Sequence, residues 1–144
     1  MYKIVGSIFI VLSSYMIFNR TILENYYTYK FLKMNVTIVQ KILFEKNVNM
    51  VYEEIFSKLK FDWKNYISVC RKNNYIKKEE IDFVNDFFSN LGKRDTESEE
   101  KYIQYYLEKL ITKQDIYYKQ YCKDNKIYGM CGISIGLFII IFLI

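Results

Sequence analysis

A chain of 144 residues without a histidine has no ordinary general base near neutral pH and no cysteine–histidine pair, so its composition argues against an enzyme. Its 21 basic and 16 acidic side chains give a net charge of +5, but they are intermixed along the sequence rather than clustered, which argues against a nucleic-acid surface. None of the five glycines lies between a strand and a helix, so there is no nucleotide cradle.

The chain is apolar at both ends. Met1 to Phe18, MYKIVGSIFIVLSSYMIF, carries Lys3 as its only charged side chain. At a rise of about 1.5 Å per residue, about 18 residues suffice to cross a bilayer core of roughly 30 Å. A cleaved secretory signal is the competing reading, but Ser13 and Ser14 are followed by Tyr15, Met16, Ile17 and Phe18 rather than by a small-residue cleavage pattern, which favours a retained anchor. Beyond it, Tyr27, Phe31, Met34, Ile38 and Ile42 recur every three or four residues, the period of a helix continuing from the span.

A second stripe, Val51, Tyr52, Ile55, Phe56 and Leu59, follows Asn49, a residue suited to an N-cap. A short third helix is expected over 62–71, with Trp63, Tyr66, Ile67 and Cys70. Ile81, Val84, Phe87, Phe88 and Leu91 make a fourth, and Gly92 stands where a left-handed C-terminal cap belongs. Thr96 and Glu99 have the spacing of a capping box at the start of a fifth, with Asp95, Glu97 and Glu100 at the positive end of its dipole. Ile103, Tyr106, Leu107, Leu110 and Ile111 continue that helix, and no breaker precedes the terminal run IYGMCGISIGLFIIIFLI, residues 127–144, a second span.

The expected fold is all-α: a small antiparallel helical bundle over 19–126, flanked by transmembrane helices at 1–18 and 127–144. Arg20, Lys30 and Lys33 follow the first span and Lys113, Lys119, Lys123 and Lys126 precede the second, so the middle domain is expected in the cytoplasm with both termini across the membrane. The pairs Glu53–Glu54, Glu79–Glu80 and Glu99–Glu100 point about 100° apart on a helix and read as solvated faces rather than as convergent acids. Cys70, Cys122 and Cys131 are too widely spaced for a short metal motif and read as small hydrophobes; no cofactor is implied. Tyr105, Tyr106, Tyr117, Tyr118 and Tyr121 read as packing or interfacial aromatics. The abundance of Lys, Asn, Ile, Tyr and Phe, without alanine or proline, is what an AT-rich genome encodes and suggests a low-GC bacterium.

The segment Ile76 to Leu110, IKKEEIDFVNDFFSNLGKRDTESEEKYIQYYLEKL, has a helix, the Leu91-Gly92 break, Asp95 after Lys93 and Arg94, and a charged helix. It resembles stage III sporulation protein AB, as do the opening MYKIVGSIFIVLSSYMIF and the closing KIYGMCGISIGLFIIIFLI. Leu23 to Tyr75 keeps the apolar rhythm without that family's arginine-proline signature. The resemblance implies a non-catalytic membrane component of the channel joining mother cell and forespore, in the bacterial cell membrane with its soluble part on the mother-cell side. It also implies a soluble domain similar to the cytoplasmic domain of type II secretion F proteins. The partners implied are the sporulation ATPase, stage III sporulation protein AA, and other membrane proteins of the channel, with the chain as their adaptor. Leu91, Gly92, Lys93, Arg94 and Asp95 form the candidate partner corner, with Lys93 and Arg94 exposed at its apex and remote from the core stripes. Gly132 and Gly136, a G-x-x-x-G pair, and Gly6 with Ser13 are candidate packing positions of the spans, within one molecule or against a neighbour; homo-oligomerisation stays open. The alternative is a lipid-anchored helical envelope protein without an ATPase partner.

Overall fold

The computed structural model describes residues 2–46 and 51–143. Five helices follow in order: α1 Tyr2–Lys46, α2 Tyr52–Lys58, α3 Trp63–Arg71, α4 Lys78–Ser89 and α5 Thr96–Leu143. Among the described residues there is no strand. The two long helices run to 45 and 48 residues, about 70 Å each, because neither contains a proline. Each joins an apolar end to the core without a break, as the spacing predicts.

Aromatic and polar contacts set the direction of α5 against α1. Tyr15 meets Tyr128, Tyr26 meets Tyr121 and Tyr29 meets Tyr118, with ring centroids 5.8, 5.3 and 5.1 Å apart. One residue number rises as the other falls, so the two helices are antiparallel along this stretch. Asn25 donates to Asp124 Oδ2 at 2.8 Å in the same register.

The core is built by α1 with the three short helices and the first half of α5. Ile55, Ile67, Cys70, Ile81, Val84, Phe87, Phe88, Ile103 and Leu110 are buried, as the helical spacing of α2 to α5 predicts. Val51 is instead 62% exposed and is the N-cap position of α2; the expected cap, Asn49, lies outside the described residues.

The inward face of α1 is the expected one in part: Phe31, Ile38 and Ile42 are buried, but Tyr27 and Met34 are exposed, and Asn25, Thr28, Leu32, Asn35 and Val39 are buried as well. With Ile42, these last five alternate spacings of three and four, the seam of a helix packed along its length. Three of them are polar, which hides the seam from hydrophobic periodicity. They are tolerated because each has partners: Asn25 has Asp124, Thr28 Oγ1 donates to Tyr75 O and accepts from Lys77 N, and Asn35 Nδ2 donates to Phe31 O and Tyr66 Oη.

The turn after α2 closes as a Schellman motif. Lys60 N donates to Ser57 O at 3.1 Å and Phe61 N to Phe56 O at 3.0 Å, with the Phe56 and Phe61 rings 6.3 Å apart. Lys60 occupies the left-handed position at φ 50°. Asp62 then caps α3 by accepting from Asn65 N.

Candidate functional site

At the turn between α4 and α5 polar groups from three elements converge on a buried carboxylate. Helix α4 ends at Ser89 with Asn90 as its C-cap, so Gly92 is not the cap itself but lies two residues beyond it. Its φ of +80° is left-handed as expected, and a Cβ there would stand 3.4 Å from the Tyr52 ring. The start of α5 also differs from the capping box. Asp95, not Thr96, is the cap: its Oδ2 accepts from Ser98 N at 3.3 Å and its carbonyl from Glu99 N at 2.9 Å. Hydrogen bonds from the Ser98 side chain and then its backbone hold the Asp95 carboxyl below the usual carboxylate range.

Released from the box, Glu99 turns inward and is 0% exposed. Its Oε1 accepts from Gly92 N at 2.7 Å and from Tyr52 Oη at 2.8 Å. Its Oε2 faces Arg94 Nη1 at 3.7 Å. Lys46 Nζ donates to the Tyr52 hydroxyl at 3.0 Å, so the end of α1, the start of α2 and the turn meet through one phenol. Burial first, then the bond to Glu99, pushes the Tyr52 phenol above its ordinary range, which keeps it a donor.

Arg94 is drawn into the same arrangement. Its Nη1 donates to Asn90 O at 3.1 Å and its guanidinium lies 3.7 Å from the Tyr102 ring centroid, a cation–π contact. Both expected apex cations are exposed, but Lys93 touches only Asn90 Oδ1 at 3.2 Å, while Arg94 is also a structural member of the turn. Nor is the turn remote from the core, since Glu99 and Tyr52 fasten it there.

The family model for stage III sporulation protein AB matches residues 41–144. The chain belongs to the stage III sporulation protein AB family. No curated protein and no solved structure matches it. The match takes in α2 to α5, and with them every residue of the stage III sporulation protein AB corner described above.

The other expected site residues of this stage III sporulation protein AB family member lie apart. A Cβ at Gly6, Gly132 or Gly136 would meet nothing within 4 Å, and Ser13 Oγ donates to Phe9 O of its own helix at 2.7 Å. The small-residue positions therefore make no close approach to each other within the molecule; α1 and α5 meet there through Tyr15 and Tyr128. One described helix, α1, is long and apolar enough to cross a membrane.

The paired carboxylates divide. Glu53, Glu54, Glu79 and Glu100 are exposed, but Glu80 and Glu99 are buried, against the expectation of solvated faces. Glu80 accepts from Tyr117 Oη at 3.1 Å and lies 3.0 Å from Lys113 Nζ, tying α4 to α5 as Glu99 ties the turn. Glu99, Tyr52 and Lys46 are the residues sequence reasoning missed. Glu99 is four residues before Ile103 and eleven before Leu110, on their face of α5, which is the one signal that could have found it. Among the described residues no group of three or more cysteine, aspartate or glutamate side chains could hold a metal ion.

Proposed function

We propose that this chain is a two-span membrane protein of sporulation whose helical part between the spans, residues 19–126, is a cytoplasmic, non-catalytic platform. It links an ATPase of the stage III sporulation protein AA kind to other membrane proteins of the channel between mother cell and forespore. One observation carries the reading: α5 is unbroken from Thr96 to Leu143, so the fastened α4–α5 turn and the apolar end are the two ends of one rod. Force applied at Lys93 would reach the apolar end without a hinge. The family membership supports the sporulation role, and the apolar α1 supports the membrane location.

The test is capture of the ATPase by the full chain in lipid nanodiscs, with and without nucleotide. Lys93→Glu is the informative variant, because Lys93 is exposed and makes no contact with Glu99. Arg94→Glu would set a second carboxylate against buried Glu99 and unfold the turn, so it cannot separate binding from folding. The expected outcome is at least fivefold weaker capture by Lys93→Glu at unchanged helicity. Absence of capture by the wild-type chain in every nucleotide state would sink the adaptor role and favour the lipid-anchored alternative.

A further inference from the structure

Just before its apolar end, α5 has distinct inner and outer faces. The inner face is set by its contacts: Tyr117 reaches Glu80, the Tyr121 ring meets Tyr26 at 5.3 Å, and Asp124 accepts from Asn25 at 2.8 Å. At about 100° per residue, Lys119, Lys123 and Lys126 project from the opposite side. Their spacings of four and three make them a single stripe, and all three are exposed. Among the described residues none of the three has an ion-pair partner.

Acids that could neutralise the stripe are turned away from it or reach only its first lysine. Asp124 is 8% exposed and turned toward α1, where Asn25 and Gln120 donate to it. Glu24 of α1 is taken by Arg20 at 3.3 Å. Asp115 shares the outer side one turn before Lys119 and can offset that lysine, but it lies about 12 and 16 Å along the helix from Lys123 and Lys126, beyond a Debye length of about 8 Å. Lys126 adjoins the apolar run, and Lys123 and Lys119 stand about 6 and 12 Å from it along the helix. The headgroup layer is about 5 to 8 Å thick on each side of a bilayer, so two of the three lysines lie within it and the third can bend its side chain toward it.

We infer that the Lys119, Lys123 and Lys126 stripe binds the anionic headgroups of the leaflet from which α5 emerges, gathering acidic lipid around the second span. The inference rests on the two-span reading. Three single charges spread along about 10 Å of helix, with no arginine fork and no helix N-terminus beside them, suit a diffuse anionic surface rather than one discrete phosphate. Their continuity with the apolar run selects lipid over an acidic protein. Near such a surface each lysine contributes about fivefold to the attraction between the segment and the anionic leaflet.

The test uses the full chain reconstituted in phosphatidylcholine vesicles containing a minor share of phosphatidylglycerol, with spin-labelled forms of each lipid read by electron paramagnetic resonance. The expected result is a motionally restricted component that favours phosphatidylglycerol at least threefold and loses that preference in high salt. In a Lys119→Gln, Lys123→Gln, Lys126→Gln variant of unchanged helicity the preference should fall to near one, while Lys30→Gln, Lys33→Gln should keep it. A triple variant with the wild-type preference, or a wild-type chain with equal restriction of both lipids, overturns the inference and leaves the spans standing. A chain that restricts neither lipid and does not float with the vesicles overturns the two-span reading and the inference together.

Discussion

Glu99 is the side chain on which the α4–α5 turn depends. It is removed from water, yet it serves a backbone N–H, a phenol and a guanidinium, and deleting such a group orphans its donors as well as removing the bonds. Glu99→Ala is expected to cost about 2 to 4 kcal/mol, read as a lowered thermal midpoint by circular dichroism in detergent. Lys93→Ala, at the exposed apex, should cost less than about 0.5 kcal/mol. The tyrosines supply the pH dependence. Burial pushes the phenols of Tyr52, Tyr66 and Tyr117 above their ordinary range and that of Tyr102 up to about 12. A phenol whose ionisation is raised by folding stabilises the fold fully below the unfolded value of about 10 and loses that contribution as pH climbs through the folded one. The thermal midpoint read by circular dichroism is therefore expected to fall between about pH 10 and about pH 12. A midpoint unchanged across that window would contradict it.

At the scale of the elements, the short helices are governed by their ends. Lys60 holds a left-handed conformation at φ 50° that costs a residue with a Cβ about 1 kcal/mol. The Schellman bonds around it need that conformation, and glycine is the residue that adopts it freely. Lys60→Gly is expected to stabilise the protein by about 0.5 to 1 kcal/mol, measured as a higher unfolding midpoint; a lower midpoint would show that the turn is not strained. The opposite substitution, Gly92→Ala, combines a φ of +80° with a Cβ placed 3.4 Å from Tyr52 and should destabilise by about 1 to 2 kcal/mol. The helices themselves were legible from apolar spacing: Ile67 and Cys70 of α3, Ile81, Val84, Phe87 and Phe88 of α4, and Ile103 and Leu110 of α5 are all buried as expected. The face of α1 was legible only at Phe31, Ile38 and Ile42, because its seam also carries Asn25, Thr28 and Asn35, whose burial depends on partners far away in sequence.

On the scale of the whole molecule, α1 and α5 run antiparallel, and their apolar ends extend past Tyr15 and Tyr128 on the same side of the core. The proposed topology makes an ordered prediction for the three natural thiols, each kept alone in turn. Cys122, exposed and five residues before the apolar run, should react with a membrane-impermeant maleimide added from the cytoplasmic side only. Cys131, within the proposed span, should react from neither side. Cys70 is buried and its thiol is pushed up, first by that burial, so it should react slowly even in detergent. Labelling of Cys122 from the outer side would reverse the orientation. What the sequence determined by itself was local: five helices, their order and the two apolar ends follow from period, length and breaker residues, all of which act within a few positions of the chain. Only the tertiary structure decided which charges are free. Glu80, Glu99 and Asp124 look in sequence like any surface charge, and they are withdrawn into the protein because Tyr117, Tyr52 and Asn25 arrive from other elements to satisfy them, while Arg94 stays exposed but is held against Tyr102. A buried polar group is stable only when its partners are already in place, and the partners here come from distant parts of the chain, as Asn25 and Asp124 do, 99 positions apart.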